Sequence, residues 1–547
     1  QLDEILALFS VLTEDEQEQI DLSRCYELQG ALDGANDPAP ITESVEYQEA
    51  SWDGSQVTYE SKTETCTLVE NSAEAVTWTA GWYAVSGTVT IDQPITVTDA
   101  VNLILTDGCD LTAAKGIVVT DGNSLTIYAQ SKNGGTLNAT GTTDDSGNAS
   151  AGIGGSTTIF DSGSITIHGG VINATGGASR WYSGAGIGGS TPSSGNGGNS
   201  GTIKIYGGTI TAESRGFSVG AGIGGGGSGG TGNGGAGTNI SIYGGNITAM
   251  SYSDNNGGAG IGGGSGQTNG GTGNITIGGG TIHSTGGSLG AGIGGGSGGT
   301  QSGNGTVTIS GGKVTAVGGN YAAGIGGGGG TKSQYLTWIG GIGSVTITGG
   351  IVDAKGNGSG EYAGAPIGNG GNAGDTAATV SKTNAIVFEN GAGTVCGAVT
   401  FDGSYNVPAD YSLHIPDGAS LSGSGTLSGG SAFTTENLTA DMISVPTNLY
   451  YDGKDRTEYL TTELSGELDK GITICGQTFT VSGWTLAVAK TDDLTYTATY
   501  TNNNDNTNTF TKTITLQKSG TDLTSEGKVQ TYKGDTLTKD FTASDTI

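Results

Sequence analysis

Residues 203–225 read I-K-I-Y-G-G-T-I-T-A-E-S-R-G-F-S-V-G-A-G-I-G-G, and residues 240–263 read I-S-I-Y-G-G-N-I-T-A-M-S-Y-S-D-N-N-G-G-A-G-I-G-G. The two stretches are one unit written twice. A strand of the form I-x-I leads into Gly-Gly, a second short apolar-alternating strand follows, and a loop closes on A-G-I-G-G. The first strand ends at Ile127, Ile167, Ile205, Ile242, Ile277, Ile309 and Ile347. The closing motif centres on Ile153, Ile187, Ile223, Ile261, Ile293 and Ile325, with a degenerate copy at Ile367, at spacings of 32 to 42 residues. The loops vary in length while the strands keep their order, which is how a repeat architecture looks in sequence.

A short strand triplet cannot bury its apolar face alone, but stacking one coil on the next can. Period-2 alternation turns the isoleucines inward and Thr, Ser, Asn and Lys outward. The Gly-Gly corners suit turns that need a positive φ. A helical repeat would need 3.6 periodicity and few glycines, yet the chain has 109 glycines in 547 residues. Collagen fails because Gly is not every third residue and Pro totals 8. The fold expected is all-β: a right-handed parallel β-helix over residues 76–435.

Outside it, Leu2, Ile5, Leu6 and Phe9 share a helical face, and Thr13 with Glu16 has capping-box spacing, so residues 1–35 read as a helical segment. Residues 36–75 are polar without a clear period and read as a linker or a cap over the solenoid's open end. After Ile367 the glycines thin out while alternation continues, which reads as final coils of the same solenoid. Residues 436–520 carry strand runs such as Ile472–Ile474, Phe479–Val481 and Tyr496–Tyr500, with a polar loop at 502–508, and read as a small β-sandwich. Residues 521–547 open a further strand pattern, as the start of another module would.

Acidic side chains outnumber basic ones 51 to 20, for a formal net charge of −31. Such a surface repels phosphate backbones and anionic membranes, which argues against nucleic acid as a partner. No apolar run approaches the ~20 residues of a membrane span. The five cysteines, Cys25, Cys66, Cys109, Cys396 and Cys475, lie far apart and form no C-x-x-C, so no zinc or redox motif is signalled.

The alternation of A-G-I-G-G with I-T-I-x-G-G-x-I-x-A, over roughly residues 78–430, resembles Gly-rich repeat surface proteins of gut clostridia, of carbohydrate-binding or right-handed β-helix type. Residues 440–520, with Tyr450-Tyr451-Asp452-Gly453, resemble mostly-β immunoglobulin-like modules of bacterial surface proteins. These resemblances imply a secreted or surface-attached bacterial protein that contacts glycan or a host surface ligand, with the immunoglobulin-like part as a stalk.

Two aromatic sets stand out. Directly after the inward isoleucine of successive first strands come Tyr128, His168, Tyr206 and Tyr243, and the same column then reads Gly278, Ser310 and Thr348. A strip of flat rings suits the C–H faces of a glycan. It equally suits a ring ladder that stiffens the sheet, cross-strand aromatic pairs being worth ~0.2 to 1 kcal/mol, and the ladder reading weighs more. The second set lies in loops ahead of A-G-I-G-G: Trp181, Tyr182, Phe217, Tyr252, Tyr321 and Tyr362. Large rings among small loop residues mark either an interaction surface or a cover for a corner without side chains.

No catalytic residue is identified. Polygalacturonases and pectate lyases share the β-helix, so a glycoside hydrolase is the alternative function, and a ligand-free spacer is the second alternative. The three histidines, His168, His283 and His414, are not in a Gly-His-Gly, and there are only four arginines. Carboxylate pairs for hydrolysis are Glu213 with Asp254 or Asp353 with Glu361. The Gly-rich stretches 225–237 and 262–273 hold no Asp, so the calcium scheme of repeats-in-toxin solenoids is unsupported, and Asp144-Asp145 reads as solvated surface. No cofactor is implied. The G-x-G-x-x-G at 222–227 is a by-product of glycine density, since no helix follows it.

Overall fold

The computed structural model describes residues 40–131, 134–330 and 337–518. The helical reading of 1–35, the tail 521–547 and Cys25 lie outside the described residues.

Each sequence unit forms one coil of a parallel β-helix with three faces. The I-x-I strands, such as Ile203–Ile205, Gly237–Ile242 and Gly273–Ile277, make sheet A. The strands after Gly-Gly, such as Thr209–Arg215, Asn246–Tyr252 and Thr281–Thr285, make sheet B. Sheet C has ten two- or three-residue strands in sequence order: Val76–Trp78, Ile95–Val97, Ile117–Val118 and then seven Ile-Gly pairs, from Ile153–Gly154 to Ile367–Gly368. The register is what the repeat predicts: Ile205 pairs with Ile242, Ile242 with Ile277, and Ile223 with Ile261, all in parallel. These isoleucines form one continuous core from Val69 to Val387, most of it fully buried. Between sheets A and B the second corner glycine takes a positive φ, +96° at Gly245.

Within the segment read as a linker or a cap, residues 42–68 form a long hairpin. Strand β1 (Thr42–Trp52) pairs antiparallel with β2 (Val57–Leu68) along their whole length. The end of β2 adds in parallel to the first strand of sheet A, Thr67 beside Tyr83, and β1 bridges onto Ala129. The hairpin thereby crosses the outer face of sheet A, and Val45, Tyr47 and Ala50 are buried against it. The missed signal is the Asp53-Gly54 turn, closed by Asp53 Oδ1 accepting from the Ser55 and Gln56 amides.

Residues 385–435 correct a second expectation. They do not simply continue the coils. Ala385–Glu389 turns back through Asn390 (φ +50°) and Gly391 (φ +90°) and pairs antiparallel with Ala392–Cys396. Two successive positive φ values are what a two-residue Asn-Gly hairpin loop requires. From there shorter coils of inverted direction extend sheet B, with Ala392 beside Ser412 and Ser412 beside Ala432, around a separate core that includes Phe388, Leu413 and Leu427.

The C-terminal part also differs from a sandwich of two sheets. Ile472–Ile474 and Gln477–Val481 form a hairpin that joins sheet B, Thr434 pairing with Thr480. What remains is a three-stranded antiparallel sheet, Trp484–Lys490, Thr495–Asn502 and Thr509–Thr515, and a short parallel pair, Tyr450–Tyr451 with Gln517–Lys518. A helix, α1 (Thr457–Asp469), packs Leu460 and Leu464 into the same core as Tyr496, Tyr500 and Ile514. Leu460, Leu464 and Leu468 stand four apart, a helical signal that the surrounding Thr-rich strands obscure.

Candidate functional site

The ring column on sheet A is a stack, and the hairpin lies on it. Tyr128 and His168 stack at 4.6 Å, His168 and Tyr206 at 5.1 Å, and Tyr206 and Tyr243 at 5.2 Å between centroids. These distances follow the ~4.8 Å separation of neighbouring strands. Tyr47 meets Tyr128 edge-on at 4.7 Å. Trp52 then stacks on Tyr243 at 5.2 Å and 21°. A Cβ on Gly278 would lie 3.0 Å from the Trp52 ring. The column therefore changes from rings to glycine where a ring from the hairpin takes the next place in the stack.

This corrects the placement of two site residues. Tyr128 and His168 are 6% and 8% exposed, so β1 keeps them from any ligand. Burial pushes the Tyr128 phenol well above its usual range. The Ala50 N–H donates to His168 Nδ1 at 3.0 Å, which requires a neutral ring carrying its proton on Nε2. Burial lowers the His168 pKa, with Glu49 opposing. A folded-state pKa below the unfolded value of about 6.5 contributes stability that is present above pH 6.5. That stability is lost as pH falls through the folded value. Amides of Thr42–Leu68 are expected to exchange faster as pH falls below about 6.5, after correction for intrinsic exchange, and the step should vanish in His168→Phe, which keeps the stack. A step that persists in His168→Phe would assign it to another group.

Tyr206 and Tyr243 instead line a cleft of about 640 Å³ beneath the hairpin's tip. Trp52, Gln56, Val57 and Tyr59 form its hairpin side. Its floor is the A–B corner of four coils, Gly208, Gly244-Gly245, Gly278 to Gly280 and Gly311-Gly312, edged by Thr209, Asn246, Thr281 and Ser310. The floor offers backbone and no side chain, so a flat ligand can approach closely. Trp52 is the last ring of the stack among the described residues, and it lines the cleft beside this floor, its ring close over Gly278. None of the described residues lining the cleft is a carboxylate, histidine, lysine or arginine. The neighbouring Asp53 is committed to the turn, and its hydrogen bonds, led by the Gln56 and Ser55 amides, hold its carboxyl below the usual range. Trp52 and Tyr59 belong to the segment that carried no period in sequence, so they were missed.

The loop set divides. Trp181, Phe217 and Tyr252 are exposed, while Tyr182 is half-buried in a short strand, Tyr182–Ser183, that pairs with Ser218–Val219. Tyr321 sits at φ +57° with Gly358 packed under its ring. Tyr362 lines a separate hollow with Asn369 and Asp375 at the end of the glycine-rich coils. Of the carboxylate pairs, Glu213 and Asp353 have partners of their own, and the side chain of Glu361 lies outside the described ones. Glu213 accepts from Arg215 Nε and Nη2 at 2.9 and 2.7 Å. Asp353 is buried, and both its oxygens accept from the Tyr411 hydroxyl at 3.1 Å. Burial raises its pKa, with that bond and Lys355 opposing. Asp144 accepts from Asn148 N–H and Nδ2–H, and among the described residues no cluster of three or more His, Cys, Asp or Glu could hold a metal.

Six stretches of the chain, residues 133–157, 165–191, 203–227, 240–265, 275–297 and 307–329, match a family model described as Beta helix repeat. Each takes in a sheet B strand and its Ile-Gly of sheet C, so the match follows the coils one by one. No curated protein and no solved structure matches the chain. The class defined by fold and match is a parallel β-helix of the right-handed type, carrying a hairpin strap. No described helix is long and apolar enough to cross a membrane.

Proposed function

We propose that the protein is a non-enzymatic carbohydrate-binding protein that holds a glycan in the cleft under the hairpin tip. The observation that carries this is the Trp52 ring, which ends the ring stack beside a floor of glycines. A sugar's C–H face stacks on such a ring, and its hydroxyls meet Thr209, Asn246, Thr281, Ser310 and open backbone at the rim. Apolar walls with a few placed polar groups are the usual make-up of a small-ligand site. Hydrolysis by the usual mechanism needs a carboxylate pair flanking the bond, and the lining supplies none, which supports binding over a glycoside hydrolase. The setting we propose is the outside of a bacterial cell, secreted or surface-attached, as the resemblance to Gly-rich clostridial repeat proteins implies. There the ligand is a glycan or a host surface ligand, taken without a cofactor.

The test is a glycan-array screen, followed by titration of each hit and analysis of products. Trp52→Ala is expected to weaken binding roughly thirtyfold, the loss of a ring worth about 2 kcal/mol. The melting of the solenoid should hold, since Trp52 lies outside its core. Unchanged affinity in Trp52→Ala would remove the cleft. New reducing ends would restore the hydrolase, and silence across the array would leave the spacer.

A further inference from the structure

A second surface lies at a different corner, between sheets B and C. Trp181, Phe217 and Tyr252 are 49%, 42% and 39% exposed and belong to three consecutive coils. They are not loosely hung. Trp181 and Phe217 meet edge-to-face at 5.6 Å, the Ser218 amide donates to the Trp181 carbonyl, and Ser253 Oγ donates to the Phe217 carbonyl at 2.7 Å. Arg215 pairs with Tyr252 across sheet B, and its guanidinium lies 4.2 Å from that ring's centroid. The Arg180 guanidinium lies 4.9 Å from the Trp181 centroid. Exposed rings fixed by backbone bonds, one per coil, form a contact surface that needs little ordering on binding.

The charges on this strip decide what it takes. The chain carries −31, and of the three arginines among the described residues two stand here. Arg215 is spent on Glu213 through Nε and Nη2. Arg180 has no ion pair among the described residues, so one planar, five-donor cation remains beside an exposed indole. Asp254 follows Tyr252 at the end away from Arg180 and disfavours an anion there. We infer that this strip is a carbohydrate subsite independent of the cleft, taking a glycan with a carboxylate-bearing sugar placed at the Trp181 end and paired with Arg180. An anionic unit is matched by Arg180, which has no ion pair among the described residues, while the rings bind the C–H faces of the chain.

The experiment separates this from the cleft by working in the Trp52→Ala background. The probes are polygalacturonate oligomers, sialyllactose, and the carboxyl-reduced forms of both. Polygalacturonate or sialyllactose, or both, should bind at least tenfold more tightly than its reduced form, and the binding should weaken with salt. The two arms tell a uronic acid from a sialic acid. Arg180→Gln should abolish the preference for the acid while leaving residual binding of the reduced form, and Trp181→Ala should remove both. Equal affinity for acid and reduced forms, an unchanged preference in Arg180→Gln, or no binding of either acid would overturn the inference. Loss of all binding on Trp52→Ala alone would assign the ligand to the cleft and also refute it.

Discussion

Ile242→Asp is expected to split the solenoid at its middle. Ile242 is fully buried and stacks in register between Ile205 and Ile277. Its neighbours are apolar, and the interior beside it offers no cation. Burying an unpaired carboxylate costs several kcal/mol, or the group takes up a proton at a strongly raised pKa. Because each coil contacts only its neighbours, the damage concentrates at the interfaces on either side. Denaturant unfolding followed by circular dichroism should show one cooperative transition replaced by an earlier, partial one. Ile242→Val, which removes a methyl, should cost about 0.5 to 1.5 kcal/mol. Melting of Ile242→Asp like the parent would mean that the inward face had been assigned to the wrong side of the strand.

Gly224→Ala is expected to be nearly as damaging, although it adds a single carbon. Gly224 holds φ +145°, a conformation that L side chains rarely adopt. Its Cβ would lie 1.9 Å from the Gly262 carbonyl oxygen of the next coil, an atom that cannot step aside without opening sheet C. Backbone strain and overpacking together should cost about 2 to 5 kcal/mol. Gly195→Ala separates the two causes: φ there is +101°, but nothing lies within 4 Å of a Cβ. The Gly195 variant should lose only the backbone term. If both variants lose the same stability, close approach of coils does not explain the I-G-G motif.

The same contact recurs along sheet C. Gly188, Gly262 and Gly294 each have a positive φ and would bring a Cβ to 2.0 Å from the carbonyl of the glycine one coil on. The reading of the glycines as corner residues was therefore incomplete, because on this face they are the strand itself. Sequence shows that a glycine recurs, and only the distance between coils shows why nothing else fits.

The aromatic column illustrates a different limit. Alternation placed Tyr128, His168, Tyr206 and Tyr243 outward, and outward they are. Alternation cannot say whether an outward face meets water or another segment. The cover comes from β1, whose Ala50 reaches His168 over 118 residues of chain, and nothing local to either residue records that pairing. The change from Tyr243 to Gly278 was visible as a break in a column, yet its cause, Trp52, lay in a stretch without a period. The Asn390-Gly391 turn and the Leu460, Leu464 and Leu468 spacing were, by contrast, local signals present in the text of the chain.

What the sequence by itself determined is the coil: its three short strands, their register and the isoleucine column inside. Those follow from local alternation repeated often enough that only stacking can bury it. The tertiary structure alone decided which outward rings are covered, where Trp52 ends their stack, and that Arg180 has no ion pair among the described residues. Each of these depends on contacts between segments far apart in the chain, where side-chain packing, not local periodicity, selects the partner.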